Sequence, residues 1–285
     1  MKRPLLLTIT AAGLAAITLA GCGGDSSSAF AGKSAEQILA EASAKTDQQT
    51  SYRVAITAKT DIDLAAGASG GQIGTILSQP LDISGEGTVQ KPGDISFDLS
   101  TEIATSPIQI NLTKVGDGLY VSVLGQSLEV TLPKGAVASI DPTTVPSSIA
   151  GWITNPKIIG DEDLGGTPTV HIRGDVDAKA LTEDIGTLTD AAGSPGVVSG
   201  ATAAQAQAAL QRGVVDVWVG TEDTLIHGAD ADVVIEGDID AVDGLSALAL
   251  KVGTRLSDFG TTVKITAPAD ARKIDLGNLG SLLGG

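Results

Sequence analysis

The strongest constraint on the fold of this chain is an alternation of apolar and polar residues. It is clearest over residues 53–64. One set of alternating residues is Val54, Ile56, Ala58, Thr60, Ile62 and Leu64, and the opposing set includes Arg53, Thr57, Lys59, Asp61 and Asp63. Because successive side chains of a strand point to opposite faces, this pattern predicts a strand with one buried face and one face in water.

The alternation recurs along the chain, and Gly, Pro and Asp residues separate its repeats. It predicts further strands over 95–99, 108–112, 119–123, 128–132, 170–176, 214–219, 229–235, 248–256 and 263–266. In the strand at 170–176, the side chains of His171, Arg173 and Asp175 face outward. Strands that are apolar on one side and joined by short turns are typical of an antiparallel sheet, here of about 10 strands.

Helical signals flank and interrupt these strands. Ser34 and Gln37 have the spacing of a capping box ahead of an apolar stripe, which predicts a first helix from about 35 to 46. Asp177 is placed to cap a later helix. The remaining signals are Leu181, Ile185 and Leu188 on the Asp177 helix, the pair Asp141-Pro142 ahead of Trp152, and an Ala- and Gln-rich segment over 201–211. The fold class is therefore α+β.

The first 22 residues have the form of an export signal. Lys2 and Arg3 precede an uncharged run over 4–20, which is too short and too rich in Gly and Ala for a comfortable membrane span. The run ends in Leu19-Ala20-Gly21-Cys22, which is a lipobox. It predicts cleavage before Cys22, lipidation of the Cys22 thiol, and a protein anchored on the extracytoplasmic face of the cell membrane.

The lipobox also sets the domain boundaries. We expect a signal peptide over 1–21, a flexible tether over 22–33, a single domain over 34–270 and a loose tail over 271–285. Cys22 is the only cysteine, so the domain has no internal disulfide and depends on the burial of apolar surface. Its length suits one large core, although two domains are an alternative.

Charge and aromatic content exclude several classes of partner. The formal net charge is -16, and it becomes -18 when Lys2 and Arg3 leave with the signal. Such an acidic chain is a poor ligand for nucleic acid, and it lacks the basic patch that anionic lipid head groups attract. Aromatic residues make up 2% of the chain, so few side chains are available to stack on sugars or bases.

The sequence contains few motifs that are typical of catalytic sites. Residues 67–71 match the G-x-S-x-G pattern of esterases around Ser69, but no strand or helix is evident beside them, and the available bases are His171 and His227. Residues 238–244 depart from a calcium loop, because Ala249 stands where a glutamate is required. We therefore expect no enzyme activity, no metal and no cofactor, with an esterase that uses Ser69 as one rival hypothesis.

Short motifs follow one another in order behind the lipobox. They are Ser51-Tyr52-Arg53-Val54, Gly93-Asp94-Ile95-Ser96-Phe97, Gly116-Asp117-Gly118-Leu119-Tyr120-Val121, His171-Ile172-Arg173-Gly174, Val215-Asp216-Val217-Trp218-Val219, Asp223-Thr224-Leu225-Ile226, Leu256-Ser257-Asp258-Phe259-Gly260 and Val263-Lys264-Ile265-Thr266-Ala267-Pro268. In this order they resemble the LppX/LprA/LprF/LprG family of mycobacterial lipoproteins. Three segments depart from that pattern, namely 65–80, 190–212 and 277–285.

The resemblance implies a fold similar to that of the LolA and LolB carriers. This is a strongly curved antiparallel half-barrel with helices packed across its concave side and an apolar cavity between them. It implies a carrier that binds acyl chains of lipids or glycolipids and moves them across the cell envelope, with a membrane lipid exporter as a candidate partner. The side chains that would line the pocket are Val54, Ile56, Ile95, Phe97, Leu99, Val121, Val123, Leu248 and Leu250.

Aliphatic contact alone would be enough to bind such a ligand, because each buried methylene contributes roughly 0.8 kcal/mol. Alternating aliphatic residues are, however, also the signature of a solid protein core. The alternative is therefore a non-carrier envelope lipoprotein, in which the sheet closes over a packed core and the acidic surface contacts an envelope partner.

Overall fold

A computed structural model describes residues 30–64, 80–103, 106–131, 151–181, 205, 207–237 and 245–275. These ranges contain a long helix, α1, and 12 strands. In chain order the elements are α1 Ala35–Asp47, β1 Ser51–Leu64, β2 Leu81–Gln90, β3 Asp94–Ile103, β4 Ser106–Val115, β5 Gly118–Val123, β6 Gln126–Thr131, β7 Ile153–Leu164, β8 Thr167–Val176, β9 Leu210–Gly220, β10 Ile226–Glu236, β11 Leu245–Ser257 and β12 Arg272–Asp275.

The helix α1 begins at the predicted capping box. The Gln37 backbone N–H donates to Ser34 Oγ at 3.3 Å, and the Ser34 backbone N–H donates to Gln37 Oε1 at 2.9 Å. These bonds satisfy two donors that a helix N-terminus would otherwise leave open. Ile38 and Leu39 of its apolar stripe are buried. The predicted first helix is confirmed.

All 12 strands form one curved sheet in the order β12-β6-β5-β4-β3-β2-β1-β11-β10-β9-β8-β7. Neighbouring strands are antiparallel except β12 and β6, which are parallel. β1 and β11 pair at the middle, where Val54 is opposite Leu256. This pairing joins an N-terminal meander, β1–β6, to a C-terminal meander, β7–β11. The antiparallel sheet is thus confirmed, with 12 strands instead of about 10.

Three of these strands, β2, β7 and β12, were absent from the sequence prediction. β2 carries Gly85 and Gly87 where the alternation would place apolar side chains, and β7 is an edge strand whose pairing with β8 is shifted at two points. Glycine and bulges both break the period of two on which the prediction depends.

The end of the chain also differs from expectation. Residues 263–266 are not a strand, and the segment 258–271 instead forms a strap over the outer side of β1–β3. The Gly260 N–H donates to the Ser51 carbonyl at 2.9 Å, and the Val263 N–H donates to Gln90 Oε1 at 3.3 Å. The strap leads into β12, within the predicted tail. Residues 210 and 211 belong to β9, so the predicted helix over 201–211 cannot extend that far.

Several predicted features lie outside the described residues. They are the lipobox with Cys22, the helices around Asp141-Pro142, most of the Asp177 helix, Ser69, and the segment 238–244. The described part of the structure does not show the predicted apolar cavity between sheet and helices. Within the described ranges, no helix has both the length and the apolar character needed to span a bilayer.

The core lies between α1 and one face of the sheet. We call the end of the sheet where β1 begins the near end, and the end where β1 finishes the far end. At the near end, Tyr52, Val89 and Ile95 are almost completely buried. The Ile226 N–H donates to Thr46 Oγ1 of α1 at 2.9 Å, which fixes the C-terminal end of the helix to β10.

Candidate functional site

The residues predicted to line a pocket share one face of the sheet, which we call the apolar face. Strand register shows this directly, because residues opposite each other in adjacent strands point to the same side. One row crosses five strands from β1 to β5. Its members in order are Ile56, Gly85, Leu99, Ile110 and Val123.

A second row runs parallel to the first, closer to the near end. Its members are Val54, Gly87, Phe97, Leu112 and Val121. Leu250 and Leu248 of β11 lie further toward the far end, opposite Thr60 and Ile62 of β1. The period of two therefore assigned all nine predicted residues to one side of the sheet.

Burial divides these nine residues into two groups. Val54, Ile95 and Phe97 are each exposed by less than 10% and belong to the same buried core cluster as Ile38 and Leu39 of α1. The other six are half-buried: Ile56, Leu99, Val121, Val123, Leu248 and Leu250. The core thus occupies the near end, and the half-buried group extends from it toward β5 and the far end.

Two glycines let the side chains of β3 lie over β2. A Cβ atom on Gly87 would stand 2.3 Å from Cδ1 of Phe97, and one on Gly85 would stand 2.8 Å from Cδ2 of Leu99. Neither distance is tolerable for real atoms. Phe97 and Leu99 therefore cover the strand where β2 itself contributes no side chain.

The opposite, polar face of β7–β11 carries a network of charged and aromatic groups. His171 stacks on Trp218 with ring centroids 4.8 Å apart. The Trp218 indole N–H donates to Glu162 Oε2 at 2.9 Å, and the same carboxylate lies 3.2 Å from His171 Nδ1. Arg255 lies over the Trp218 ring, 4.9 Å from its centroid. Glu162 thereby ties the edge strand β7 to β8 and β9.

Asp216 contacts the other side of this histidine. Its Oδ1 lies 2.6 Å from His171 Nε2 and accepts a bond from Arg173 Nε at 2.7 Å. Burial raises the pKa of Asp216, but hydrogen bonds from Arg173 and His171 outweigh it, so the pKa lies below its usual value. The same bond raises the pKa of Arg173.

This network does not have the geometry of a metal centre. Glu162 and Asp216 contact opposite nitrogens of His171, so the three side chains do not converge on one point. Across the described ranges, no group of three or more His, Cys, Asp or Glu side chains is placed to hold a metal ion. The sequence pattern had assigned His171 and Arg173 to the outer face of the sheet. It could not predict their contacts with Glu162 and Trp218, because those contacts depend on the register between strands.

The polar face of the N-terminal meander is different in character. It carries a groove of about 710 Å³ that hydroxyl, amide and acidic side chains line on β2–β5. Those side chains include Ser84, Glu86, Asp98, Ser100, Gln109 and Asn111. Leu99, Ile110 and Val123 also border this groove, so it includes two of the predicted pocket residues beside its polar side chains.

Comparison with solved structures finds similarity to two mycobacterial lipoproteins and to a LolA superfamily protein. LprF from Mycobacterium bovis is 19% identical, with 83% of this chain and 97% of that chain covered and a TM-score of 0.47. The lipoprotein LppX from Mycobacterium tuberculosis is 16% identical, with 80% and 98% covered and a TM-score of 0.47. A LolA superfamily protein from Nitrosomonas europaea is 11% identical, with 81% and 94% covered and a TM-score of 0.25. No family model and no curated protein sequence matches the chain.

Proposed function

We propose that this protein is a lipid carrier of the cell envelope. In this proposal it is anchored to the membrane through Cys22 and holds the acyl chains of a lipid or glycolipid against the apolar face of its sheet. It acts by binding, without covalent catalysis, and passes the lipid on to another membrane or to an exporter.

The observation that carries the proposal is the half-buried group on the apolar face. Ile56, Leu99 and Val123 belong to one continuous row across the sheet, yet none of the three is as buried as the residues of the core cluster. A row of aliphatic side chains that is only half covered is a favourable surface for hydrocarbon. At roughly 0.8 kcal/mol per methylene, a long acyl chain would gain enough to bind firmly.

The anchor is supported by the sequence at the lipobox. A thioether-linked diacylglyceryl group on Cys22 would hold the domain at the membrane without a spanning helix. The predicted tether over 22–33 would keep the domain close to that surface. A carrier that extracts lipid needs this proximity.

The proposed binding site can be tested by placing a large side chain on the apolar face. Ala58 lies on the apolar face between Val252 and Ile83, whereas Ala55 on the same strand lies on the polar face between Arg255 and Glu86. A solvatochromic fatty-acid analogue is titrated into the mature chain that carries Cys22→Ser, which removes the anchor. Ala58→Phe should weaken its binding by 10-fold or more, and the matched control Ala55→Phe should leave it unchanged.

The natural ligand is tested by lipid extraction and mass spectrometry of the protein purified from its own host. A lipid-free protein that also refuses the fatty-acid analogue would favour the alternative of a non-carrier lipoprotein with a packed core. Covalent labelling by a fluorophosphonate that is lost in Ser69→Ala would instead favour the esterase.

A further inference from the structure

The hairpin between β5 and β6 has a leucine where its turn disfavours one. Val123 pairs with Gln126, so Leu124 and Gly125 form a two-residue loop. Both have positive φ, 51° for Leu124 and 76° for Gly125. This is the geometry of a type I′ turn, which favours Asn-Gly because an L side chain other than Asn or Asp rarely adopts positive φ.

The side chain of Leu124 is also held in water. It is 85% exposed, which makes it the most exposed of the large apolar residues in the described ranges, ahead of Ile159 at 55% and Val263 at 39%. Neither backbone preference nor burial within the domain explains a leucine at this position. A single exposed leucine is ordinary on a protein surface, but one on a disfavoured backbone is not.

The hairpin that carries Leu124 has no charged side chain close to its turn, although Glu86 and Asp98 line the groove that Leu124 also borders. No Asp, Glu, Lys or Arg occurs over residues 118–128, which include β5, the turn and half of β6. None occurs over residues 103–113 either, which include most of the adjacent strand β4. Charged residues make up 18% of the chain, so two neutral stretches side by side form a distinct corner of an acidic protein.

From these observations we infer that the Leu124 turn is a membrane-contact tip that enters the interfacial region of a lipid bilayer. A leucine at the end of a neutral hairpin gains by leaving water for that region, and no charge has to be desolvated with it. An anionic bilayer would repel the rest of the acidic domain, so the neutral corner is the part suited to approach lipid.

The inference rests on the proposed function for its setting, since an anchored domain remains beside a membrane. It also has a consequence for the carrier. Val123, one of the proposed ligand-contacting residues, directly precedes Leu124. Contact at this tip would therefore bring one end of the apolar row to the bilayer that supplies or receives the lipid.

The test uses the full lipidated chain, reconstituted in phosphatidylcholine vesicles. Leu124→Cys and, in a separate protein, Ile159→Cys are each labelled with an environment-sensitive nitrobenzoxadiazole dye. Ile159 is the matched control, because it is a large exposed apolar residue on the opposite edge strand β7. The dye at 124 should brighten several-fold on reconstitution and be quenched by spin-labelled phospholipid, while the dye at 159 stays as in water.

Equal responses at the two positions, or none at 124, would overturn the inference. A brightening at 124 that needs no vesicles and grows with protein concentration would also overturn it, because the tip would then contact a second copy of the chain. Dye uptake by the chain without a new cysteine would report a free Cys22 thiol. That result would count against the proposed anchor, while the difference between 124 and 159 would still report on the tip.

Discussion

The two meanders of the sheet present the same kind of apolar face but use it differently. In the C-terminal meander, Val170, Ile172, Val217 and Val219 are completely buried, and α1 contacts β7, β9 and β10. In β4 and β5 of the N-terminal meander, the corresponding row through Ile110 is only half-buried. Alternation alone therefore does not decide whether an aliphatic row becomes core; the helix that packs on it does.

The polar faces of the two meanders differ in a matching way. The C-terminal meander is held across its strands by the network of Glu162, His171, Trp218 and Asp216, whereas β2–β5 carry hydroxyl, amide and acidic side chains around a groove. The C-terminal meander thus has both a completely buried apolar row and a cross-strand polar network, whereas in the N-terminal meander complete burial is confined to the near end. The proposed contacts with ligand and membrane lie largely in the N-terminal one.

The largest test of this contrast compares two isoleucines. Ile172 in β8 is fully buried, and Ile110 in β4 is half-buried. We expect Ile172→Ala to lower the free energy of unfolding by about 2–5 kcal/mol, because it leaves a cavity in packed core. Ile110→Ala should cost about 1 kcal/mol, since less apolar surface returns to water. Urea denaturation of both variants measures this, and equal losses would remove the contrast.

A smaller loss of stability is expected from a substitution at the β2 glycines, over which the side chains of β3 lie. Gly87→Ala would force the Phe97 ring from its place and should destabilise the protein by about 1–3 kcal/mol. Gly151→Ala is the control, since a Cβ there meets nothing within 4 Å. Thermal unfolding followed by circular dichroism compares the two. A neutral Gly87→Ala would mean that the N-terminal meander is too loosely packed to register an added methyl group.

The smallest effect concerns the polar network and its dependence on pH. The folded-state pKa of Asp216 is lowered, so its contribution to stability is fully present above the unfolded pKa of about 3.9. It is lost as pH falls through the folded value. At pH 7, Asp216→Asn should cost about 1 kcal/mol, and the difference from the wild type should shrink below about pH 4.

Asp82→Asn is the control for this charge effect. Asp82 and its partner Lys59 are both exposed by about two thirds, so the pair should contribute nothing measurable. Urea denaturation at a series of pH values separates the two variants. A gap between Asp216→Asn and the wild type that stays constant down to pH 2 would show that Asp216 acts through shape and not through its charge.

Local patterns predicted much of this fold because they depend on neighbours in sequence. The capping box located α1, and alternation located β1, β3–β6 and β8–β11 within a few residues. The same reasoning failed at β2, where Gly85 and Gly87 stand in the apolar positions. It failed in the opposite direction at Val263, where an alternating segment became part of the strap.

Both failures have a physical cause in residues that are distant in sequence. A glycine is favourable in β2 only because Phe97 and Leu99 from another strand cover it. The strap is held by contacts such as that between the Ser51 hydroxyl and the Thr261 carbonyl, at 2.7 Å and 210 residues apart. No window of neighbouring residues contains these partners.

The amino-acid sequence by itself determined which side chains share a face of the sheet, where the first helix begins, and the lipobox motif at Cys22. It did so because a strand repeats every two residues, and because a cap is formed within four. Tertiary structure alone decided which rows α1 buries, how Glu162 reaches Trp218, and that the strap crosses the outer face. Those outcomes depend on register and packing between strands, and only the folded chain brings these groups within contact distance.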